Sequence, residues 1–498
     1  MYHPPFIARQ RELAVLDREW QSPGARLLIL FGRRRNGKTR LITQWMKTSG
    51  VRALYWVADP TAAVDQLRSF SQALYNFQNP GAPAPADFTY ADWRQAFQQI
   101  AQLTRESRLA LAIDEFTYVA AVQQGVAGML QNAWDHVLSE SNLFLIVAGS
   151  HLGMMKRDLL DANGPLYGRS TAQLKLAPLP FGETRRFYSN YSALERVELY
   201  AMLGGVPGYW ARFRPTRSLT ENVREQLLGD GGLVTDEPRL LLQDFLAEVH
   251  NYVGLLRAIA QGRRTPTEMA NRVGLKAQHV SPYLDKLIDA GYVERRVPLT
   301  GPVNTRQGRH HVTDPFLRFY FRFLSTRLDQ LALGVTDQLV AEVRQHLMDF
   351  IGTHTWEELS REWLLRASAH GKLPFLPDQV GSTWNREAQI DVAGINWMEH
   401  TLFLGECKWL KAKVDADVLH KLVTEKAPQF IPAEGKWRVF FLGFSRSGWT
   451  EAAVQFARQA GRQAHTGVNW QVVGAQLIDL RQLDQDLEIW SRPSTRHG

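Results

Sequence analysis

The sequence predicts an α/β multidomain protein whose first third is a parallel sheet covered by helices. Between its strand-like segments lie longer ones with apolar residues at helical spacing, such as Leu13, Leu16 and Trp20. Strands that alternate with helices pair in parallel, because each crossover helix returns the chain to the same edge of the sheet. The segments with the length and composition of buried strands are 27–31, 53–57, 109–113 and 143–148.

The first apolar segment runs directly into a glycine-rich loop, and a helix-like segment follows from Arg40. The loop has the spacing G-x-x-x-x-G-K-T, which lets backbone N–H groups turn inward beneath the positive end of the next helix. Lys38 can reach the β- and γ-phosphates of ATP, and the Thr39 hydroxyl can hold Mg²⁺. A chance match in a basic loop is the weaker alternative, given the strand and helix around it. The predicted nucleotide-binding residues are Gly32, Arg33, Arg34, Arg35, Asn36, Gly37, Lys38 and Thr39.

The apolar segment 109–113 ends in Asp114 and Glu115. In P-loop ATPases such a strand places an aspartate beside the Mg²⁺, and the following glutamate orients or deprotonates the attacking water. An acidic helix cap after a core strand is the plainer alternative. Together with the phosphate loop, the pair predicts hydrolysis of ATP with Mg²⁺, with Asp114 at the metal and Glu115 as a catalytic residue.

Two further residues are candidates for contacts with the nucleotide. Ser150 follows the segment 143–148, where a polar side chain either senses the γ-phosphate or simply caps a helix. Arg169 lies in a glycine-containing loop and is either an arginine finger or an ordinary surface arginine. A finger that acts in trans would require a homo-oligomer.

Composition limits the setting in which the protein works. A chain of 498 residues predicts three or four domains, and its net charge of +8 suits a polyanionic partner such as DNA. No segment approaches the roughly 20 apolar residues of a membrane span, and the first residues lack a signal pattern. We therefore expect a cytoplasmic protein without a membrane contact. Cys407 is the only cysteine, which excludes an intramolecular disulfide and a cysteine-rich zinc site.

The middle of the chain is helix-rich from about 180 to 248 and then predicts a winged helix-turn-helix. A short capped helix over 265–272, a tight turn over 273–275, a helix over 278–290 and a basic strand from Gly291 follow in the order of that motif. The alternative is a packing module between domains. In the DNA-reading form, Lys276, Gln278, His279, Ser281 and Tyr283 face the groove, and Arg295, Arg296, Arg306 and Arg309 meet phosphates.

The last third contains an acidic pair followed by a lysine. Alternation along the strand puts Glu406 and Lys408 on one face and Cys407 on the other, with Asp391 one strand away. Two carboxylates around Mg²⁺ or Mn²⁺, with a lysine beside them, can activate water for phosphodiester cleavage. A solvated sheet face with a structural ion pair is the alternative. The predicted hairpin has a strand over 384–392, a turn over 394–399 and a strand over 402–409.

Several motifs together resemble the archaeal-type ATPase family, a STAND/AAA+-related group of P-loop ATPases that also occurs in bacteria. Asn36 departs from the small apolar residue expected in that loop, although its backbone can still serve. The resemblance implies a helical lid over the nucleotide. The motifs are F-x-x-R-x-x-E-L from Phe6, G-R-R-R-x-G-K-T from Gly32, I-D-E-F from Ile113, Gly149-Ser150, L-Y-G-R from Leu166 and G-G-V-P-G-Y from Gly204.

The Asp391, Glu406 and Lys408 arrangement resembles the PD-(D/E)XK nuclease superfamily, in particular the restriction-endonuclease-like domain often fused to archaeal-type ATPases. That resemblance implies that Glu357, from the preceding helix, joins the metal ligands, with Glu358 and Glu362 competing for the role. The proline of the superfamily's name is absent here.

Combined, these features predict an ATPase coupled through a winged helix to a metal-dependent DNA nuclease, with ATP gating access to the acidic site. The alternative is a signalling or scaffold ATPase whose last domain binds nucleic acid or protein without cleaving; an ATPase that hands DNA to another enzyme is a third option. The predicted domains are a P-loop core over 1–178, a helical lid over 179–248, a winged helix-turn-helix over 249–325 and an α/β nuclease-like domain with a helical lead-in over 326–498.

Overall fold

The computed structural model of the chain describes most of its residues and contains no ligand or partner chain. The described residues are 6–155, 159–161, 164–229, 231–242, 249–302, 305, 307–460, 466–467 and 469–492.

The predicted parallel sheet is present in the first third and is confirmed. Its strands are β1 (Arg26–Phe31), β2 (Ala53–Val57), β3 (Leu109–Asp114), β4 (Leu143–Gly149) and β5 (Ala172–Lys175). They lie in the order β2-β3-β4-β1-β5, and every neighbouring pair is parallel. Strands β3 and β4 are buried along their whole length, which explains their unbroken apolar sequence.

Helices cover both faces of this sheet. They are α1 (Gln10–Gln21), α2 (Lys38–Ser49), α3 (Ala63–Gln78), α4 (Trp93–Leu103), α5 (Phe116–Val122), α6 (Val126–His136) and α7 (Leu152–Met155). On one face Leu16 and Trp45 bring α1 and α2 into the core. On the other face Phe70, Phe97 and Leu130 do the same for α3, α4 and α6. The phosphate loop emerges between β1 and α2, at the edge of the sheet where the parallel strands end.

A helical segment follows the sheet and leads into a helix-turn-helix with a hairpin. The helices are α8 (Thr184–Phe187), α9 (Ala193–Leu203), α10 (Pro207–Trp210), α11 (Leu219–Asn222), α12 (Leu233–Leu242), α13 (Val249–Ala260), α14 (Pro266–Val273), α15 (Ala277–Asp289) and α16 (Pro315–Phe319). Thr265 caps α14 in a reciprocal arrangement with Glu268. Strands β6 (Val293–Arg296) and β7 (Arg309–Val312) form an antiparallel hairpin.

The last part is a separate mixed sheet with helices. Its helices are α17 (Leu328–Ala332), α18 (Thr336–Phe350), α19 (Trp356–Ala369), α20 (Ala416–Lys421), α21 (Glu451–Gln459) and α22 (Leu480–Ser491). Its strands are β8 (Gln379–Trp384), β9 (Gln389–Asn396), β10 (Thr401–Lys408), β11 (Trp437–Ser445), β12 (Thr466–Gly467) and β13 (Trp470–Asp479). The strand order is β12-β13-β11-β10-β9-β8; β10 pairs with β11 in parallel and with β9 antiparallel.

Two details of the predicted hairpin are wrong. The expected strand over 384–392 is interrupted, because Asn385 accepts hydrogen bonds from the backbone of Glu387 and Ala388 and closes a turn between β8 and β9. The expected turn over 394–399 begins later, because Gly394 lies inside β9 opposite Phe403. The chain reverses over 397–400 instead.

The parts of the chain are joined by shared cores and a buried ion pair. One apolar core runs through helices α8 to α16, α19 and α22. The guanidinium of Arg196 on α9 binds the Asp484 carboxylate on α22 at 2.5 and 3.0 Å, and both side chains are buried. Because the core is continuous, the division into four domains stays a prediction.

Among the described residues, no helix has the length and apolar character needed to span a membrane.

Replacing Asp484 with Ala would leave the Arg196 guanidinium buried without its carboxylate. We expect this to lower the free energy of unfolding by about 3–5 kcal/mol, as for other broken buried pairs. Thermal and urea unfolding of the full chain would measure it. The control is Asp65→Ala, which removes a surface pair with Arg68 and should cost less than about 1 kcal/mol. Equal costs for the two variants would contradict the structural role of the buried pair.

Candidate functional site

The phosphate loop has the backbone that its sequence predicts. Gly37 has φ +92°, a left-handed conformation that a side chain would strain, and it stands immediately before the first turn of α2. The loop is fastened from outside, because Arg9 donates to the Asn36 carbonyl oxygen at 3.2 Å and to the Ala177 carbonyl oxygen at 2.7 Å. The Asn36 side chain donates to the Leu176 carbonyl oxygen at 2.9 Å, so it points toward the segment that follows β5.

Lys38 is folded back onto its own loop. Its Nζ donates to the carbonyl oxygens of Gly32 at 2.8 Å and Arg33 at 3.3 Å, and to the Ser150 hydroxyl at 2.6 Å. Ser150 donates in turn to Glu115 at 2.5 Å. Burial lowers the pKa of Lys38, against the opposing effect of the nearby Glu115 and Asp114 carboxylates. The predicted residues Lys38, Ser150 and Glu115 therefore lie in one connected group.

Thr39 and Asp114 lie side by side at the ends of their elements. The Thr39 hydroxyl donates to Asp114 Oδ2 at 2.6 Å, and the hydroxyl of Tyr55 donates to the same oxygen at 2.8 Å. Burial and the Asp114 charge raise the pKa of Tyr55, which keeps its proton on the phenol. The hydroxyl and carboxylate oxygens suit Mg²⁺, which prefers oxygen ligands.

The three loop arginines point to three different elements. Arg33 forms an ion pair with Asp314 at 2.8 Å, and its guanidinium lies 4.4 Å from the ring centre of Tyr292. Arg35 pairs with Glu237 on α12 at 2.5 Å. The third arginine, Arg34, donates to the Tyr118 hydroxyl on α5 at 2.6 Å. The loop is thereby fixed to parts of the chain far from it in sequence.

A cleft of about 430 Å³ lies over the loop and under the helical segment. Residues of the loop and of α2, together with Glu115 and Ser150, line one side, and Pro207 and Gly208 line the other. Gly208 approaches so closely that an added Cβ would lie 2.7 Å from the Arg35 Cβ. A second cavity of about 770 Å³ shares Arg34, Glu115 and Ser150 with this cleft.

Arg169 occupies a different place from the other predicted nucleotide contacts. It forms two hydrogen bonds with the Asp135 carboxylate at 2.6 and 2.7 Å, and it is not among the residues that line the cleft. A role as an arginine finger in trans stays a prediction.

The predicted DNA-contact residues divide into two groups. The first half of α15 presents Lys276, Gln278, His279 and Ser281 to solvent. Tyr283 is half-buried and accepts a hydrogen bond from Asn251.

The hairpin arginines are mostly engaged within the protein. Arg296 binds Glu294 and Glu358, while Arg309 stacks 4.5 Å from the Trp384 ring and donates to Gln389 at 2.8 Å. Arg295 is exposed, and Arg306 lies outside the described residues.

The hairpin packs against the edge of the C-terminal sheet. The backbone N–H of Leu299 donates to the Ser382 carbonyl oxygen at 3.0 Å, and the Trp384 indole donates to the Gln307 carbonyl oxygen at 3.1 Å. Such contacts are those expected for the alternative of a packing module. They leave α15 as the part of the predicted winged helix that is open to a partner.

The acidic site forms where β9 and β10 lie side by side. Asp391 accepts a hydrogen bond from the Cys407 backbone at 3.0 Å, and Glu406 pairs with Lys408 at 2.8 Å. Burial and the Glu406 charge raise the pKa of Asp391. The sheet thus brings Asp391, Glu406 and Lys408 together, as the alternation in the sequence predicts.

Lys426, which follows α20, completes this site and was not anticipated. Its Nζ donates to both Glu406 oxygens at 2.9 and 2.8 Å and to the Gln389 carbonyl oxygen at 3.0 Å. As the side chains lie, these carboxylates do not fit a divalent cation, because Lys426 occupies both oxygens of Glu406. Within the described ranges, no group of three or more His, Cys, Asp or Glu side chains is placed to hold a metal.

The two neighbouring glutamates of α19 have different environments. Glu357 faces the acidic site, and burial together with the Asp391 charge raises its pKa to about 7. Glu358 faces the other way, where Arg318 binds it with two hydrogen bonds at 2.7 and 2.8 Å. Although burial opposes it, this pairing holds the pKa of Glu358 well below its usual range. Glu362 pairs with Arg366 at 2.7 Å, so Glu357 is the glutamate nearest the predicted role.

Some of these partners carry a signal in the sequence and others do not. Tyr55 lies in the middle of β2 opposite Ala112, which is two residues before Asp114, and Gln389 stands two residues before Asp391, so each shares a face of its sheet with a predicted site residue. Lys426, Glu237 and Asp314 lie in segments that no motif distinguishes.

Two family models match this chain. Residues 6–213 match a family described as an ATPase domain predominantly from Archaea. Residues 320–419 match a family described as Archaea bacterial proteins of unknown function. The chain therefore carries a P-loop ATPase domain of the archaeal type, followed by a separate C-terminal sheet domain.

The chain is also similar to individual proteins and solved structures. An uncharacterised protein of Methanocaldococcus jannaschii is 28% identical over 413 residues, which is 83% of this chain and 89% of the relative. An uncharacterised ATP-binding protein of the same organism is 43% identical over 47 residues, 9% of this chain and 80% of the relative. A Walker-type ATPase structure from Pyrococcus abyssi has a TM-score of 0.48 at 18% identity, covering 64% of this chain and 96% of that one. The structure of the ORC2 protein of Aeropyrum pernix, solved as ADPNP-ADP complexes, has a TM-score of 0.42 at 14% identity. The match covers 69% of this chain and 97% of that one.

The raised pKa of Glu357 predicts a pH-dependent stability. The folded protein holds a proton on Glu357 more tightly than the unfolded chain does. The stability that this proton contributes is fully present below pH 4.5, the usual pKa of the carboxyl group, and is lost as the pH rises through about 7. Glu357→Gln removes this loss, so its stability relative to the wild type should increase between pH 5 and pH 8.5 by up to about 3 kcal/mol. Urea unfolding at both pH values measures the difference. The exposed control Glu387→Gln should show none, and an equal pH trend in both variants would contradict the assignment.

Proposed function

We propose that the ATPase domain binds ATP in the cleft over residues 32–39 and hydrolyses it. The observation that carries this proposal is the connected group of Lys38, Ser150 and Glu115 beside the Thr39–Asp114 pair. The proposal gives Lys38 the role of the cation for the phosphates, Thr39 and Asp114 that of oxygen ligands for Mg²⁺, and Glu115 that of the carboxylate for the attacking water. The glutamate and the lysine are already joined through one serine hydroxyl.

The arrangement suggests how each residue acts. Lys38 exchanges its bonds to the loop carbonyl oxygens for the β- and γ-phosphates, and Thr39 and Asp114 hold the Mg²⁺. When bound, the cation neutralises charge on the phosphates. To contact the γ-phosphate, the Ser150 hydroxyl must move its donated hydrogen bond from Glu115 to a phosphate oxygen, which also frees the Glu115 carboxylate. Glu115 then orients the water that attacks the γ-phosphorus and accepts its proton.

Replacing Lys38 with Ala should lower ATP turnover by about 100-fold or more, because the phosphates lose the cation that stabilises their charge. Steady-state phosphate release measures the effect. Lys47→Ala is the matched control, since this exposed lysine lies on the same helix away from the loop. Glu115→Gln should retain ATP binding and lose hydrolysis. Wild-type turnover by the Lys38 variant would reject the proposed site.

For the part of the chain that follows the ATPase domain we propose an action on nucleic acid, with DNA as the expected partner. The chain has a net charge of +8, and Lys276, immediately before α15, is exposed together with Gln278 and His279 in the first half of that helix. Lys408 and Lys426 add two cations at the acidic site. Gating of that site by ATP remains part of this proposal.

Two modes of action are considered, and one observation favours each of them. The placement of Asp391, Glu406 and Lys408 on neighbouring strands favours metal-dependent cleavage of DNA. The two hydrogen bonds from Lys426 to Glu406 favour binding without cleavage, because they occupy the oxygens that a cation would use. As the side chains lie, binding without cleavage is the better-supported mode.

A purified-protein assay on linear, branched and single-stranded DNA separates the two modes. In the binding mode no DNA is cut with Mg²⁺ or Mn²⁺, and Lys408→Ala and Lys426→Ala each weaken binding and reduce the salt slope by about one. Cleavage that Lys408→Ala abolishes would establish the nuclease instead. Lys421→Ala, an exposed lysine on α20, is the control and should change neither cleavage nor binding by more than about twofold.

A further inference from the structure

Two ion pairs, joined by the short helix α16, lie between the phosphate loop and helix α19 at the acidic site. The first begins at Arg33, whose side chain pairs with Asp314 at 2.8 Å. Asp314 is only 3% exposed and also caps α16, because it accepts a hydrogen bond from the Leu317 backbone at 2.8 Å. The loop therefore holds the first turn of α16 directly.

The other end of α16 holds the helix that borders the acidic site. Arg318, also 3% exposed, makes two hydrogen bonds to Glu358 on α19, at 2.7 and 2.8 Å. A buried arginine bound to both oxygens of a carboxylate cannot move alone without leaving an unpaired charge. Because α16 is a single short helix between Asp314 and Arg318, a displacement at one end is transmitted to the other.

Helix α19 in turn contacts the strand that carries Asp391. Arg361, one turn after Glu357, donates to the Glu357 carboxylate at 3.4 Å and to the Asp391 carbonyl oxygen at 3.0 Å. A movement of α19 would therefore change the distance between the Glu357 and Asp391 carboxylates.

The bonds of Lys38 within the phosphate loop make the conformation of the loop sensitive to a bound nucleotide. Lys38 binds the carbonyl oxygens of Gly32 and Arg33 while it is folded back onto the loop. Phosphates compete for the same ammonium group, and its withdrawal releases the Arg33 backbone. The residue released by the nucleotide is thus the one whose side chain holds Asp314.

We propose that α16 relays the nucleotide state of the phosphate loop to the acidic site, with Asp314 and Arg318 as the positioning residues. The proposal rests on the proposed ATP site and names the route by which that site would regulate the C-terminal domain.

Hydrogen exchange of the full chain tests the relay without any assay of cleavage. Amides of 356–369 are compared without nucleotide, with ADP and Mg²⁺, and with a non-hydrolysable ATP analogue and Mg²⁺. In the wild type we expect exchange in α19 to change by about fivefold or more on binding, in the range of ordinary allosteric coupling. An α19 that exchanges equally in all three states would overturn the proposal.

Two variants interrupt the relay at different ends. Asp314→Asn removes the charge and keeps a side chain that caps helices well. Glu358→Gln breaks the pair with Arg318 far from the loop. Both should lose the response of α19 while nucleotide affinity, measured by titration with a fluorescent ATP analogue, stays within about threefold of the wild type. Retention of the response in either variant contradicts the relay. If Asp314→Asn does not fold or does not bind nucleotide, the result for Glu358→Gln alone decides.

The control variant is Asp337→Asn. It removes a carboxylate that pairs with Arg224 at 2.7 Å on the surface, away from this route. Its α19 response should equal that of the wild type. Failure of the proposed function would appear separately, as absence of ATP turnover or of DNA binding by the wild type, whereas the relay is judged only by exchange in α19.

Discussion

The ATP site depends on one constraint, that neighbouring parallel strands end at the same edge of their sheet. Strand β1 delivers the loop that holds Lys38, β3 delivers Asp114 and Glu115, and β4 delivers Ser150. Because β1, β4 and β3 are adjacent, their ends meet, and residues more than 100 positions apart form one hydrogen-bonded group. The loop, its contacts with Pro207 and Gly208 and its arginine ion pairs are all arranged around this edge.

The same loop is unusual in how firmly it is tied to later parts of the chain. A phosphate loop needs only its backbone, one lysine and one hydroxyl to hold a nucleotide. Here Arg33 and Arg35 add ion pairs with Asp314 and Glu237, whose carboxylates are almost fully buried. Buried charges are costly unless paired, so these contacts fix the loop relative to α12 and α16. That fixation makes the loop a point from which the C-terminal domain can be influenced.

The sequence predicts what is local and misses what depends on docking. The loop, Asp114, Glu115 and Ser150 could be singled out because each lies at the end of a recognisable buried strand, and the sheet brings them together. Lys426 was not predictable, because it meets Glu406 across 20 residues through packing of a helical segment on the sheet. The hairpin arginines show the same limit: their positive charge suggests phosphate contacts, yet Arg296 and Arg309 find partners on the C-terminal domain.

These docked contacts also bear on what the acidic site can do. Gln389 receives Arg309 from the hairpin at 2.8 Å, donates to Asp391 at 3.2 Å, and offers its carbonyl oxygen to Lys426. The hairpin is therefore bound to the same residue that orders the acidic pair. Withdrawal of Lys426 would leave Oε2 of Glu406 without this donor, while Lys408 would still bind Oε1. For the proposed function, the positions of both lysines therefore bear on the choice between cleavage and binding.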